Sequence, residues 1–273
     1  MAFYSSIHTL LQTYSKLALC TIVDTKGSTP LKSGAKLIVL PTGNIEGTIG
    51  GGALEKAVIE DALTCINKEE NLLFEHKLTH DHQMCCGGTV YVFIEVVKKN
   101  TSLIICGAGH VGAALANFAT QLEFDTYLID DRVNMIESAK KNLSPNINPL
   151  NQSAVEYIIR YNQNIENTYC VITTYDHQLD RAILSAAINK PFKYIGMIGS
   201  KRKVLVTRKF LKEQETPQSI IDKIDMPVGL DINAQSPKEI AISIIAKLIQ
   251  IKNEYYAKQN FIKDIELCIK RQL

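Results

Sequence analysis

The chain carries no excess charge of one sign: across 273 residues, 30 lysines and arginines stand against 28 aspartates and glutamates. A net charge of +2 sets up no broad field for nucleic-acid phosphates or an anionic membrane surface, so neither is expected as a partner. Long apolar runs are missing as well. The longest early run, residues 17–23, is closed by Asp24, falls far short of a bilayer span and precedes no small-residue cleavage pattern. A protein without membrane segment or targeting signal is expected. No internal repeat or low-complexity tract is present. The seven cysteines, at 20, 65, 85, 86, 106, 170 and 268, are odd in number and follow no disulfide framework, which predicts reduced thiols and a cytoplasmic setting.

What is present is ordinary globular material, 46% apolar and 21% charged, in a length that suits two domains. Lys98-Lys99-Asn100 reads as a linker between a smaller N-terminal α/β domain (1–100) and a C-terminal one (101–273). In the first, an amphipathic start (Ile7, Leu10, Leu11, Tyr14) precedes strands at 17–23 and 35–40, joined by Thr25-Lys26-Gly27-Ser28-Thr29-Pro30. Gly47-Thr48-Ile49-Gly50-Gly51-Gly52 then leads into a helical pattern of Leu54, Val58, Ala62 and Ile66, followed by strands at 72–78 and 89–97. In the second, strands at 102–106, 126–130, 168–173 and 193–198 alternate with helices at 110–122, 179–188 and 201–214. This alternation predicts a Rossmann-like, doubly wound parallel sheet. Ser236-Pro237-Lys238-Glu239 has the cap, first-turn proline and capping-box glutamate of a long helix reaching about 256.

Gly107-Ala108-Gly109-His110-Val111-Gly112 matches G-x-G-x-x-G directly after a strand and at a helix start, the context in which the pattern reads as dinucleotide binding. Gly107 permits the tight turn, Gly109 lets backbone amides approach a pyrophosphate, and Gly112 lets helix and strand pack closely. Asp130 ends the next strand, near the spacing expected of a carboxylate that binds ribose hydroxyls, which favours an unphosphorylated ribose. His110, at the helix start, either touches a ligand phosphate or faces solvent. A second strand-to-helix turn, Gly199-Ser200-Lys201-Arg202-Lys203, places three cations at a helix N-terminus, against the macrodipole, and so calls for an anion or a carboxylate nearby. A solvated basic turn is the alternative. His80, His82, Cys85 and Cys86 lie close together but in no zinc spacing. Cys86 followed by Gly87-Gly88 reads instead as a thiol in a loop with room for close ligand approach, or as an inert buried thiol.

These motifs in this order resemble the xanthine dehydrogenase accessory factor family, XdhC/CoxI, over nearly the whole chain. The resemblance rests on Gly27-Ser28-Thr29-Pro30 with Gly34-Ala35-Lys36, on residues 47–55 ending in Glu55, on Cys86-Gly87-Gly88, and on the 107–112 turn. Asp130-Asp131-Arg132, Gly199-Ser200-Lys201, and Pro227-Val228-Gly229-Leu230-Asp231 with Glu239-Ile240-Ala241 complete it. It implies a cytoplasmic homodimer that binds molybdenum cofactor (molybdopterin), protects it while a cysteine desulfurase helps install the terminal sulfido ligand, and delivers it to xanthine dehydrogenase. Such a protein is a chaperone, a maturation factor and not a dehydrogenase. Cys86 takes the role of the family's cysteine, touching molybdenum or relaying sulfur, with Gly50, Gly51, Gly52, Glu55, Gly87, Gly88 and the second domain's turns as cofactor-binding positions. Leu31 stands where many relatives carry arginine, and Ala53 where the CoxI branch often has cysteine, so the Gly-Gly-Gly-Ala form resembles the XdhC branch. Without the resemblance, two readings remain: an NAD(P)-dependent oxidoreductase with His177 and Asp180 as candidate acid and base, and a module that senses NAD without turnover.

Overall fold

The computed structural model describes the backbone of residues 2–78 and 87–270 and the side chains of 3–78 and 87–253. The chain divides into two compact units, Met1–Lys99 and Asn100–Leu273.

The first unit runs α1 (Ala2–Thr13), β1 (Lys16–Lys26), β2 (Lys36–Val39), β3 (Ile45–Gly47), α2 (Gly52–Lys68), β4 (Leu72–Lys77) and β5 (Thr89–Lys98). Its strands form one antiparallel sheet in the order β3-β2-β1-β5-β4. Because side chains alternate along a strand, Ala18, Cys20 and Ile22 of β1 and Val90, Val92 and Ile94 of β5 point to one face. There they meet Leu54, Val58, Ala62, Cys65 and Ile66, the apolar stripe of α2. The opposite face sets Leu17, Leu19, Ile38 and Leu40 against Phe3, Ile7, Leu10 and Leu11 of α1. The amphipathic start is therefore a helix that closes the second side of the sheet. The short edge strand β3 is exposed throughout and shows no apolar alternation, so the sequence carries no signal for it.

The second unit runs β6 (Ser102–Cys106), α3 (His110–Thr120), β7 (Asp125–Asp130), α4 (Val133–Lys140), β8 (Ile147–Asn151), α5 (Ala154–Arg160), β9 (Thr168–Ile172), α6 (His177–Ala187), β10 (Tyr194–Met197), α7 (Lys201–Glu213), α8 (Gln218–Ile221), β11 (Ile224–Asp225) and α9 (Pro237–Lys270). All its strand pairs are parallel, in the order β11-β10-β9-β6-β7-β8. This is the doubly wound order of dinucleotide-binding folds, with its reversal between β6 and β9. The central strands are wholly buried, and alternate residues feed two cores. Leu103, Ile105, Tyr169 and Val171 pack with Leu115 and Ala116 of α3 and Ala241, Ile244 and Leu248 of α9. Ile104, Cys106, Cys170 and Ile172 pack with Ile158, Ile183, Leu184 and Leu211 of α5, α6 and α7. Cys20, Cys65, Cys106 and Cys170 are free and buried, small hydrophobes in these cores. Strand β8 and helices α4 and α5 escape the periodic reading. Pro149 lies inside β8, which an edge strand tolerates because only one of its sides must pair. Among the described residues no helix is long and apolar enough to cross a membrane.

Candidate functional site

In the first unit the register of the long β1–β5 ladder assembles the motifs. Lys26 pairs with Thr89, so the loop after β1 and the segment before β5 leave the sheet together. A Cβ on Gly88 would lie 2.4 Å from the Ser28 carbonyl oxygen and 2.7 Å from that of Lys26, and one on Gly50 would lie 2.7 Å from the Pro30 ring. The Gly-Ser-Thr-Pro loop, the triple-glycine turn and Gly87-Gly88 thus meet at one end of the sheet, at the N-terminus of α2. Gly51, the α2 N-cap at φ 73°, is different: a Cβ there would touch nothing within 4 Å. Cys86, expected to carry the chemistry, lies outside the described residues with Cys85, His80 and His82, and is joined directly to Gly87. Among the described residues no group of three or more His, Cys, Asp or Glu is placed to hold a metal ion.

Glu55 has a defined task in this cluster. Its Oε1 accepts the Ile49 N–H at 3.1 Å, the Gly51 N–H at 2.9 Å and the Thr48 hydroxyl. The chain's own carboxylate therefore holds the turn's amides. Partial burial pushes the Glu55 carboxyl up, but the Thr48 hydroxyl and the amides of Gly51, Ile49 and Gly50 outweigh it and hold the group below the usual glutamate range. With the folded value depressed, the stabilisation is fully present above the ordinary glutamate pKa of about 4.3 and fades as the pH falls through the lower folded value. Glu55→Ala is expected to cost about 1–2 kcal/mol at neutral pH. Urea titrations should show the gap from wild type narrowing in acid; a gap independent of pH would contradict this account.

In the second unit the mouth forms where β6 and β9 diverge. The Gly107 N–H donates to Ile129 O at 2.7 Å, the Thr173 N–H to Cys106 O at 2.8 Å, and the Thr173 hydroxyl reaches Gly107 O at 3.1 Å. Gly107 and Gly112 are required by the packing: their Cβ atoms would stand 2.6 Å from Thr173 O and 1.9 Å from Gly107 O. Gly109 is not. Its φ of −66° is open to any residue and a Cβ would meet nothing within 4 Å, so neither conformation nor packing demands a glycine there. His110 is exposed at the first position of α3. Asp130, 5% exposed, accepts from the Ala108 N–H at 2.8 Å and from Arg132 through its amide, Nε and Nη2. Burial raises its pKa, but the Arg132 guanidinium and the Ala108 and Arg132 amides hold it below the usual aspartate range.

At the other basic turn, Ser200 caps α7 by accepting the Lys203 N–H at 3.3 Å, and Gly199 packs beside the Lys203 side chain. Lys201 and Arg202 are exposed, whereas the Lys203 ammonium contacts buried Asp180, which also accepts the Thr174 hydroxyl at 2.7 Å. Asp180 is the carboxylate that answers Lys203, while Lys201 and Arg202 stay exposed at the turn. That carboxylate is consequently committed to structure, while His177 is exposed at the start of α6. Arg132 and Tyr175 are the mouth residues to which sequence reasoning assigns no role. An arginine two positions after the strand-ending aspartate is the one signal that points to them.

Residues 103–248 match the model of the XdhC Rossmann domain, and residues 10–76 that of the XdhC and CoxI family. The chain is 32% identical over 246 residues to an uncharacterized Escherichia coli (strain K12) protein, YqeB, an alignment covering 86% of this chain and 43% of that protein. It is 29% identical over 164 residues to a Bacillus subtilis (strain 168) protein described as a probable xanthine dehydrogenase component, covering 60% and 47% respectively. The chain thus spans less than half the length of these curated relatives. A crystal structure from Bacillus halodurans, described as a xanthine dehydrogenase, shares the fold with a TM-score of 0.51 at 23% identity, over 92% of this chain and 95% of that one. With the Rossmann-domain model covering more than half of the chain and the motif loops of the first unit gathered at one end of their sheet, this protein belongs to the XdhC and CoxI family.

Proposed function

We propose that this chain is an accessory protein in the maturation of xanthine dehydrogenase, holding molybdenum cofactor while a cysteine desulfurase provides sulfur and then passing it to the enzyme. Family membership supports the general role, and one observation carries the specific one: the Gly-Ser-Thr-Pro loop, which also packs against the triple-glycine turn, lies against Gly87-Gly88, the dipeptide that follows Cys86 in the chain. The residues fit such a guest in chemical type. The space over Gly51, where a side chain would meet nothing, admits close approach to backbone, and Cys86 contributes a thiol, a soft donor suited to a soft metal. Cys86 and the backbone of Gly51 and Gly52 would hold the group. When bound, the cofactor supplies a metal–dithiolene centre that can carry a terminal sulfur. Glu55 keeps the glycine turn in shape by engaging its amides, leaving the Cys86 loop as the reactive part. A cytoplasmic homodimer belongs to the same reading. Hydride transfer is the weaker alternative, because Asp180, one of its two candidate proton-transfer residues, is buried against Lys203.

The test is retention of cofactor. Full-length protein mixed with molybdenum cofactor released from a molybdoenzyme should carry both molybdenum and pterin through gel filtration, and Cys86→Ala should lower the retained molybdenum about tenfold or more. Folded wild type that emerges free of both would end the proposal. Equal retention by the variant would remove Cys86 from it.

A further inference from the structure

In dinucleotide-binding folds the acidic residue at the end of the second strand accepts the ribose hydroxyls of NAD. Asp130 stands there, yet its own chain already saturates it. Oδ1 accepts the Arg132 amide at 3.0 Å and Arg132 Nε at 2.8 Å, while Oδ2 accepts the Ala108 amide and Arg132 Nη2, each at 2.8 Å. A carboxylate offers roughly four lone-pair sites, so a ribose diol would have to evict the guanidinium from a buried partner.

Arg132 is held and presented at once. Its Cζ sits 3.9 Å from the centre of the Tyr175 ring, and its side chain remains 29% exposed. Pairing with Asp130 engages Nε and one N–H of Nη2; among the described residues the outer edge of the guanidinium has no hydrogen-bond partner. A planar fork fixed on one side by a carboxylate and below by an aromatic face suits the oxygens of a phosphate and loses little freedom on binding one. Gly109, with open space where a Cβ would stand, lies in the adjoining turn, where backbone approach to a pyrophosphate is expected.

We propose that the mouth of the second unit reads a nucleotide through Arg132, with Asp130 as its positioning residue, and selects a dinucleotide bearing a phosphate on the adenosine ribose, of the NADP(H) type, over unphosphorylated NAD(H). The exposed Asp131 is the neighbouring charge that opposes this phosphate.

Calorimetric titration of the full chain at fixed ionic strength tests the assignment. NADP+ should bind at least about tenfold more tightly than NAD+, the worth of a charge-assisted hydrogen bond. Arg132→Ala should abolish that preference. Arg132→Lys keeps a cation beside Asp130 but not the fork, and should lose most of the preference even if the alanine variant folds poorly. Asp131→Asn should tighten NADP+ without tightening NAD+. Folded wild type that binds NADP+ selectively yet retains no molybdenum cofactor keeps this assignment while ending the cofactor-retention proposal, so the two results are separable. NAD+ binding as tight as NADP+, an unchanged preference in folded Arg132→Lys, or no binding of either dinucleotide to folded wild type would each overturn the assignment.

Discussion

A single methyl group added at Gly112 is expected to destabilise the second unit by about 3 kcal/mol, the upper range of overpacking effects. Its Cβ would lie 1.9 Å from Gly107 O and 2.9 Å from the Thr173 hydroxyl oxygen. Neither neighbour can yield cheaply. Gly107 is tied to β7 through its N–H on Ile129 O, and its carbonyl receives the Thr173 hydroxyl from the end of β9. Relief therefore means lifting α3 off β6 and disturbing the apolar contacts of Leu115 and Ala116. Gly109→Ala, in the same turn, should change stability by less than about 0.5 kcal/mol, since its Cβ enters open space. Urea denaturation of the two variants beside wild type makes the comparison direct. Equal midpoints for Gly112→Ala and Gly109→Ala would show that helix and strand do not approach so closely at Gly112.

The second large effect belongs to the Lys203–Asp180 pair. The Asp180 side chain is 1% exposed and that of Lys203 is 12% exposed, so removal of either partner leaves a charge without compensation in a dry setting. Lys203→Met should cost about 3–5 kcal/mol, and Asp180→Asn somewhat less because the Thr174 hydroxyl still finds an acceptor. The double variant should recover much of the loss, as the desolvation of both charges disappears with them. A thermodynamic cycle from denaturant unfolding measures the coupling. Single variants within about 0.5 kcal/mol of wild type would mean the pair is solvated after all.

Both effects arise at positions that stand out in the sequence, but for different reasons. Motif spacing assigns Gly112 to close helix–strand packing, and the geometry gives that role a distance. Lys203 is legible only as one of three cations at a helix start that need a counter-charge. Nothing local identifies Asp180, which lies on the preceding helix, as that counter-charge. Glu55 resembles Lys203 in this respect: its place among cofactor-binding positions comes with the motif, whereas its engagement with the Ile49 and Gly51 amides is set by how the turn folds back.

The sequence alone determined the alternation of the central strands with helices α3, α6 and α7, the doubly wound class of the second unit, the helix starts at Ser200 and Ser236, and the glycine turn after β6. These follow from periodicity, capping and turn chemistry acting over a few residues, so they are written locally. Only the tertiary structure decided how the polar groups are partnered. The β1–β5 register brings Gly27 beside Gly88, the neighbourhood of β6 and β7 lets the Ala108 amide reach Asp130, and the packing of α6 against α7 joins Asp180 to Lys203. Such partners are chosen by strand order and register, which depend on the summed burial of whole elements and leave no trace at the individual residues concerned.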